Sequence, residues 1–189
     1  YTTADEGITV DLDGKKVGGP DGLSVPQEVY IHTGLYKARP EGNSVIHIHP
    51  PRVVIFTICE KEFLPLYGAY DPSSVYLLLE GIPTYGRSIT ISNEELSKEF
   101  CAAMGQKNVC LMRGHGITTA GATVEEATMT AIKVNELAEM SYQAHLLGDP
   151  KPIPDEDIEH FKKSLAKRAG KPSPHATAGW RYYEKLSGA

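Results

Sequence analysis

The sequence predicts an α/β domain, a single sheet covered by helices, and three observations carry that prediction. Apolar, β-branched segments at 45–48 and 109–112 have the character of buried strands, and they alternate with segments of helical periodicity. Helix starts are written as capping boxes in Ser24-Val25-Pro26-Gln27, Ser92-Asn93-Glu94-Glu95 and Thr123-Val124-Glu125-Glu126. The first buried strand runs into Pro50-Pro51, which cannot continue a central strand but suits the first turn of a helix. At 189 residues the natural count is one domain, spanning 1–189.

In chain order, Thr2 or Thr3 caps a short turn before a strand at 8–12, and Asp13-Gly14 turns it into a second strand at 15–17. A fold that opens on a hairpin reads as one lacking its amino-terminal part. After a glycine-rich loop, the first helix runs from the box at Ser24 to about Lys37, burying Val25, Ile31, Leu35 and Tyr36. The strand at 43–49 follows, then a helix to about Cys59. Residues 63–66 read as a short strand, with Pro65 suggesting an edge. The segment 75–79 fits helix or strand, and 82–85 fits another short strand. A helix then runs from the box at Ser92 to about Gly105. The strand at 109–112 is broken by Gly114-His115-Gly116 and resumes at 117–119. The longest helix spans 123–147, another spans Asp155–Arg168, and a loose segment ends in Trp180-Arg181-Tyr182-Tyr183.

The formal charge of −5 and the lack of a dense basic cluster argue against a nucleic-acid partner. Lys162, Lys163, Lys167 and Arg168 alternate with apolar residues, as on a solvated helix face. No apolar run is long enough to span a bilayer, and nothing resembles a secretory signal. Cys59, Cys101 and Cys110 show no CxxC spacing, so free thiols in a reducing compartment, the cytoplasm, are expected.

The chemistry concentrates in His47-Ile48-His49. On a strand, alternate side chains share a face, so the two imidazoles lie roughly 6.5 to 7 Å apart along it, close enough to converge on one cation. The plainer reading is a pair of core histidines bonded to backbone, but two imidazoles on one buried face are costly without a shared partner. His115, between two glycines at the end of a buried strand, is the natural third ligand of an open three-histidine site. Glu28, near a helix start, is a candidate fourth ligand or base.

Glu28 with His32, then Tyr36-Lys37-Ala38-Arg39-Pro40, His47-Ile48-His49-Pro50, and Arg113-Gly114-His115-Gly116 followed by Thr123-Val124-Glu125-Glu126-Ala127, together resemble the class II aldolase/adducin family in order and spacing across residues 3–152. The resemblance implies a three-layer fold, a central mixed, mostly antiparallel sheet covered by helices. It also implies a homotetramer with sites at subunit interfaces, acting on a small-molecule substrate. His47, His49 and His115 fall on the family's metal ligands. Glu28 falls on its catalytic glutamate, which in the aldolases also binds the metal when the site is empty. The implied chemistry is cleavage of a carbon–carbon bond through a metal-chelated enediolate-type intermediate. Zinc suits the donor set best, with manganese, cobalt or iron as the other choices.

Two departures narrow the activity. The sugar-phosphate members hold phosphate with a glycine-asparagine loop near the amino terminus, and this chain begins after that place. They also carry two serines before the glutamate, where this chain has Pro26-Gln27. Without those hydroxyls a phosphate dianion needs other donors. The expectation is therefore a decarboxylase of a hydroxylated aromatic or related oxygenated carboxylate. A fuculose- or ribulose-phosphate type aldolase or 4-epimerase is the first alternative, and a catalytically silent adducin-like binding module the second.

Tyr70, with Tyr67 and Asp71 nearby, lies near where the aldolases place an acid tyrosine from a neighbouring subunit. Tyr183, with Tyr182, is a tail residue able to reach a neighbour's site in the same way. Packing or surface roles compete for each of them. His32 is expected to make a structural hydrogen bond. Arg113 suits either a substrate carboxylate or a salt bridge, His145 and His160 sit on helix surfaces, and Cys59 reads as a small buried hydrophobe.

Overall fold

Four strands form the sheet at the centre of the molecule: β3 (Ser44–Ile48), β6 (Gly116–Gly121), β5 (Val109–Met112) and β4 (Thr84–Tyr85), in the order β3-β6-β5-β4. The computed structural model describes residues 3–168 and 174–188. The β3–β6 and β6–β5 pairs are antiparallel and the β5–β4 pair is parallel, so the sheet is mixed and mostly antiparallel, as expected. A separate two-stranded hairpin, β1 (Thr9–Val10) and β2 (Lys16–Gly18), precedes it. Its turn is longer than the two residues expected. Asp11 Oδ1 accepts from the backbone N–H of Asp13 and Lys15, and Gly14 at φ +80° closes the loop.

Alternation along β5 divides the interior in two. Cys110 and Met112 point to one side, with Ile31 and Leu35 of α1 (Val29–Ala38) and Phe100 and Met104 of α4 (Glu94–Met104). Val109 and Leu111 point to the other, with Val53 of α2 (Pro51–Ile58) and Ala131, Val134 and Ala138 of α5 (Val124–Leu147). Helices, sheet and helices thus make three layers. Outside α5 lie α3 (Pro72–Glu80), α6 (Asp155–Arg168) and α7 (Pro174–Ser187). No described helix is long and apolar enough to cross a membrane.

Several elements depart from the sequence reading. The box at Ser24 caps nothing: helix α1 starts at Val29, and its N-cap residue, Glu28, makes no capping bond with its side chain. Val25 and Tyr36 are half-buried rather than core. Segment 63–66 forms no strand; Pro65 has no N–H for a ladder, and its carbonyl accepts instead from Ile153 N at 2.8 Å. The ambiguous 75–79 is helical, started by Asp71, whose carboxylate accepts from Ser73 N ahead of Pro72. Asn93, one residue later than expected, caps α4 by accepting from Leu96 N. The chain after His115 does not resume β5 but reverses, making a β5–β6 hairpin. The tail is not loose over 174–187 but helical; residues 169–173 of that expectation, and Thr2, lie outside the described residues.

The end of α2 is unusual. Lys61 N donates to Phe56 O at 3.0 Å and Glu60 N to Thr57 O at 3.4 Å, the Schellman pattern, with Glu60 at φ +51° where glycine is customary. A side chain in that left-handed conformation costs about 1–2 kcal/mol.

Candidate metal centre

Three backbone features bring the candidate residues together. Register sets His47 opposite Thr118 and Ile48 opposite Ile117, so the end of β3 lies beside the start of β6. Gly116 permits this: a Cβ there would meet Ile48 O at 2.3 Å and His49 Cδ2 at 2.8 Å. The turn into β6 needs Gly114 at φ +61°, its N–H donating to Thr57 Oγ1 at 3.0 Å, and it delivers His115. Finally, α1 begins over the same face of the sheet, so Glu28 at its N-cap reaches the imidazoles.

The ligand atoms of Glu28, His47, His49 and His115 all lie within 4.8 Å of one another. Glu28 Oε2 is 3.3 Å from His47 Nε2 and 3.9 Å from His49 Nε2, and Oε1 is 3.1 Å from His115 Nε2. Donors on a tetrahedral zinc, at about 2.0–2.1 Å each, stand about 3.3 Å apart, so these separations match a shared ion. Two further observations fit a cation. Glu28 Oε1 is buried without a hydrogen-bond partner. His47 Nε2 and His49 Nε2 face each other at 2.9 Å, which neutral imidazoles tolerate only with a proton or cation between their lone pairs.

His47 is held in place by the nitrogen that faces away from the quartet. Its Nδ1 donates to Ile117 O at 3.0 Å and lies 3.1 Å from Thr118 Oγ1, which sets the tautomer and leaves Nε2 free. Burial, helped by the His115 and His49 imidazoles and opposed by Glu28, pushes its pKa down to about 4, so the ring is neutral at neutral pH. The His49 side chain is 55% exposed, so the quartet opens to solvent on that side. With three imidazoles and one carboxylate, the group suits a divalent cation.

Other candidates lie outside the quartet. His32 bonds to the backbone of Val45, and burial lowers its pKa against the opposing pull of Glu28. Arg113 pairs with Glu60 at 2.5 Å. His145 Nδ1 bonds to Ser141 O at 2.8 Å. Cys59 is exposed, not buried as expected, because α2 ends there. Tyr70 is 77% exposed, and the Tyr183 hydroxyl donates to Glu136 at 2.6 Å; neither meets the quartet within one chain. Thr118 and Thr57 escaped the sequence reading. Thr118 shares a strand face with residues of the site only once the β3–β6 register is known.

The family model described as Class II Aldolase and Adducin N-terminal domain matches residues 1–142. The chain is 39% identical over 162 residues to a 3,4-dihydroxyphthalate decarboxylase of Arthrobacter keyseri, an alignment covering 84% of this chain and 65% of that protein. It is 27% identical over 152 residues to a 5-methylthioribulose-1-phosphate/5-deoxyribulose-1-phosphate aldolase of Rhodospirillum rubrum, covering 77% of this chain and 65% of that one. The chain thus spans about two thirds of the length of these relatives. An aldolase II superfamily protein of Pseudomonas syringae shares the fold, with a TM-score of 0.80 at 24% identity over 97% of this chain and 73% of its own. Taken with the sheet order and the quartet, these matches establish that the chain belongs to the class II aldolase and adducin family.

Proposed function

We propose that the protein is a divalent-metal-dependent carbon–carbon lyase of the decarboxylase kind, acting on a hydroxylated aromatic carboxylate of the dihydroxyphthalate class. The observation that carries this reading is the Glu28–His47–His49–His115 quartet, open at His49 and preceded by Pro26-Gln27, which offers no side-chain hydroxyl to a phosphate. The higher identity to a decarboxylase than to a sugar-phosphate aldolase supports the same branch.

Glu28, His47, His49 and His115 would hold a divalent cation, zinc in this reading, which would supply Lewis-acid chemistry to stabilise the charge left when CO₂ departs. His47, His49 and His115 present Nε2 atoms to it, and the Ile117 carbonyl keeps His47 from turning. Glu28 carries the proton: its Oε1, lacking any donor of its own, gives a proton to the ring carbon vacated by CO₂ and takes one back from water. The same reading places the enzyme in the cytoplasm as a homotetramer with sites at subunit interfaces. There Tyr70, exposed in the single chain, is the better placed second acid. Tyr183 would first have to release Glu136.

The test is incubation of zinc-loaded protein with 3,4-dihydroxyphthalate and, separately, with a ketose 1-phosphate. Release of CO₂ from the first and no dihydroxyacetone phosphate from the second is the expected result. Cleavage of the ketose phosphate without CO₂ release would overturn the decarboxylase assignment. Inertness toward both at full metal occupancy would point to a binding module.

A further inference from the structure

A cavity of about 520 Å³ opens on the α2 side of the sheet. Phe56, Phe63, Ile82 and Leu111 give it an apolar wall, and its charged lining pairs two cations, Lys61 and Arg113, with two carboxylates, Glu60 and Glu62. Leu111 and Arg113 lie two apart in sequence at the end of β5 and line this cavity, whereas Met112 between them belongs to the core under α1 and α4. The cavity is therefore on the face opposite the metal quartet, and its volume suits a small organic ligand.

Among the described residues the Arg113 guanidinium has one ion-pair partner, the Glu60 carboxylate at 2.5 Å, with the two side chains 47% and 67% exposed. A pair so exposed is weak and is readily exchanged for another carboxylate. Yet Glu60 occupies the left-handed position at the end of α2, where glycine is customary. A strained residue that persists beside a cavity points to a role for its side chain. Glu60 supplies a counter-ion that parks the guanidinium at the mouth until a better anion arrives.

From this we infer that the cavity is a binding site for a small aromatic carboxylate, its ring against Phe56, Phe63 and Leu111 and its carboxylate on Arg113 and Lys61, with Glu60 displaced. This inference does not depend on the proposed reaction, since it concerns the other face of the sheet.

Benzoate is the probe, titrated by calorimetry into the full chain after chelator treatment, so that no ion remains at the quartet to take the carboxylate. Saturable binding is expected, weakened about tenfold in Arg113→Met, the loss of one charged contact. Glu60→Gln, which removes the competing charge and nearly keeps the volume, is expected to tighten binding several-fold, a gain that misfolding cannot mimic. Absence of saturable binding to the stripped protein, native affinity in Arg113→Met, or binding that appears only after metal is restored would each overturn the site.

Discussion

Two polar clusters in this molecule are built around carboxylates and end in opposite conditions. Around α3, α5 and α7, Lys133 stands 3.8 Å from Asp71 and 2.9 Å from Glu136, and Tyr183 donates to Glu136 at 2.6 Å. Asp71 also accepts from Ser73 N and Ser74 Oγ. Its charges have partners of opposite sign, and burial pushes the pKa of the neighbouring Tyr67 hydroxyl up to about 12. At the quartet, by contrast, Glu28 Oε1 is buried without a hydrogen-bond partner, three imidazoles crowd one carboxylate, and none of the four residues is a lysine or arginine. The first cluster completes itself, as structural networks do. The second leaves a buried carboxylate oxygen unsatisfied, which is what a cation site needs.

The sharpest way to break this contrast is to remove a ligand. His47→Ala or His115→Ala is expected to abolish stoichiometric zinc, read by elemental analysis, and to lower decarboxylation by about 10³-fold or more. Zinc retained in both variants would mean that the quartet is only another self-satisfied cluster. One step outward, Thr118→Val removes the hydroxyl beside His47 Nδ1 while leaving the Ile117 carbonyl. Zinc affinity is expected to fall about tenfold, the lower end of effects for groups behind a ligand.

Acid sharpens the comparison further, because His47 has a folded-state pKa of about 4 against 6.5 for an ordinary histidine. Between those values the unfolded chain binds a proton that the folded chain refuses, so folding stability falls as pH is lowered through the window. The contribution is complete above about 6.5 and gone near 4. Metal-free protein should therefore lose Tm on acidification from 6.5 to 4, more steeply than His47→Gln measured alongside it. Equal slopes would show that His47 is not held neutral by burial.

How far the sequence foretold these regions follows from what each depends on. Spacing on one strand and glycines around a turn are local facts, so His47, His49 and His115 could be singled out before any fold was known. The sheet class followed from buried strands alternating with helices. Thr118 could not be found that way, because its role exists only through the pairing of β3 with β6. The box at Ser24 misled for a related reason: a start at Val29 leaves Glu28 free to face the imidazoles instead of capping its own helix. The Lys133 cluster joins residues from 71 to 183, and no periodicity announces it.

The self-satisfied cluster has its own test. Lys133→Met takes the cation from between two carboxylates while keeping the stem, and a loss of about 1 kcal/mol is expected, near 2–4 °C in Tm for a domain of this size. Zinc content should not change. A variant that lost metal while keeping its Tm would reverse the roles assigned to the two regions.

The smallest effect belongs to a case between the two, the Glu60–Arg113 pair, where charge is matched but the backbone is not at ease. Glu60→Ala and Glu60→Gly both delete the carboxylate and hence the exposed pair, worth about 0–1 kcal/mol. They differ in the backbone at φ +51°, which alanine keeps strained and glycine adopts freely. Glycine's looser unfolded chain takes back part of the gain, about 0.5–1 kcal/mol against the 1–2 kcal/mol of strain relieved. Glu60→Gly should thus be the more stable of the two by about 0.5–1 kcal/mol in urea unfolding, with unchanged m-values. If alanine proved equal or better, the strain would be illusory, and with it the argument that the Glu60 side chain is kept at that position for what it does to Arg113.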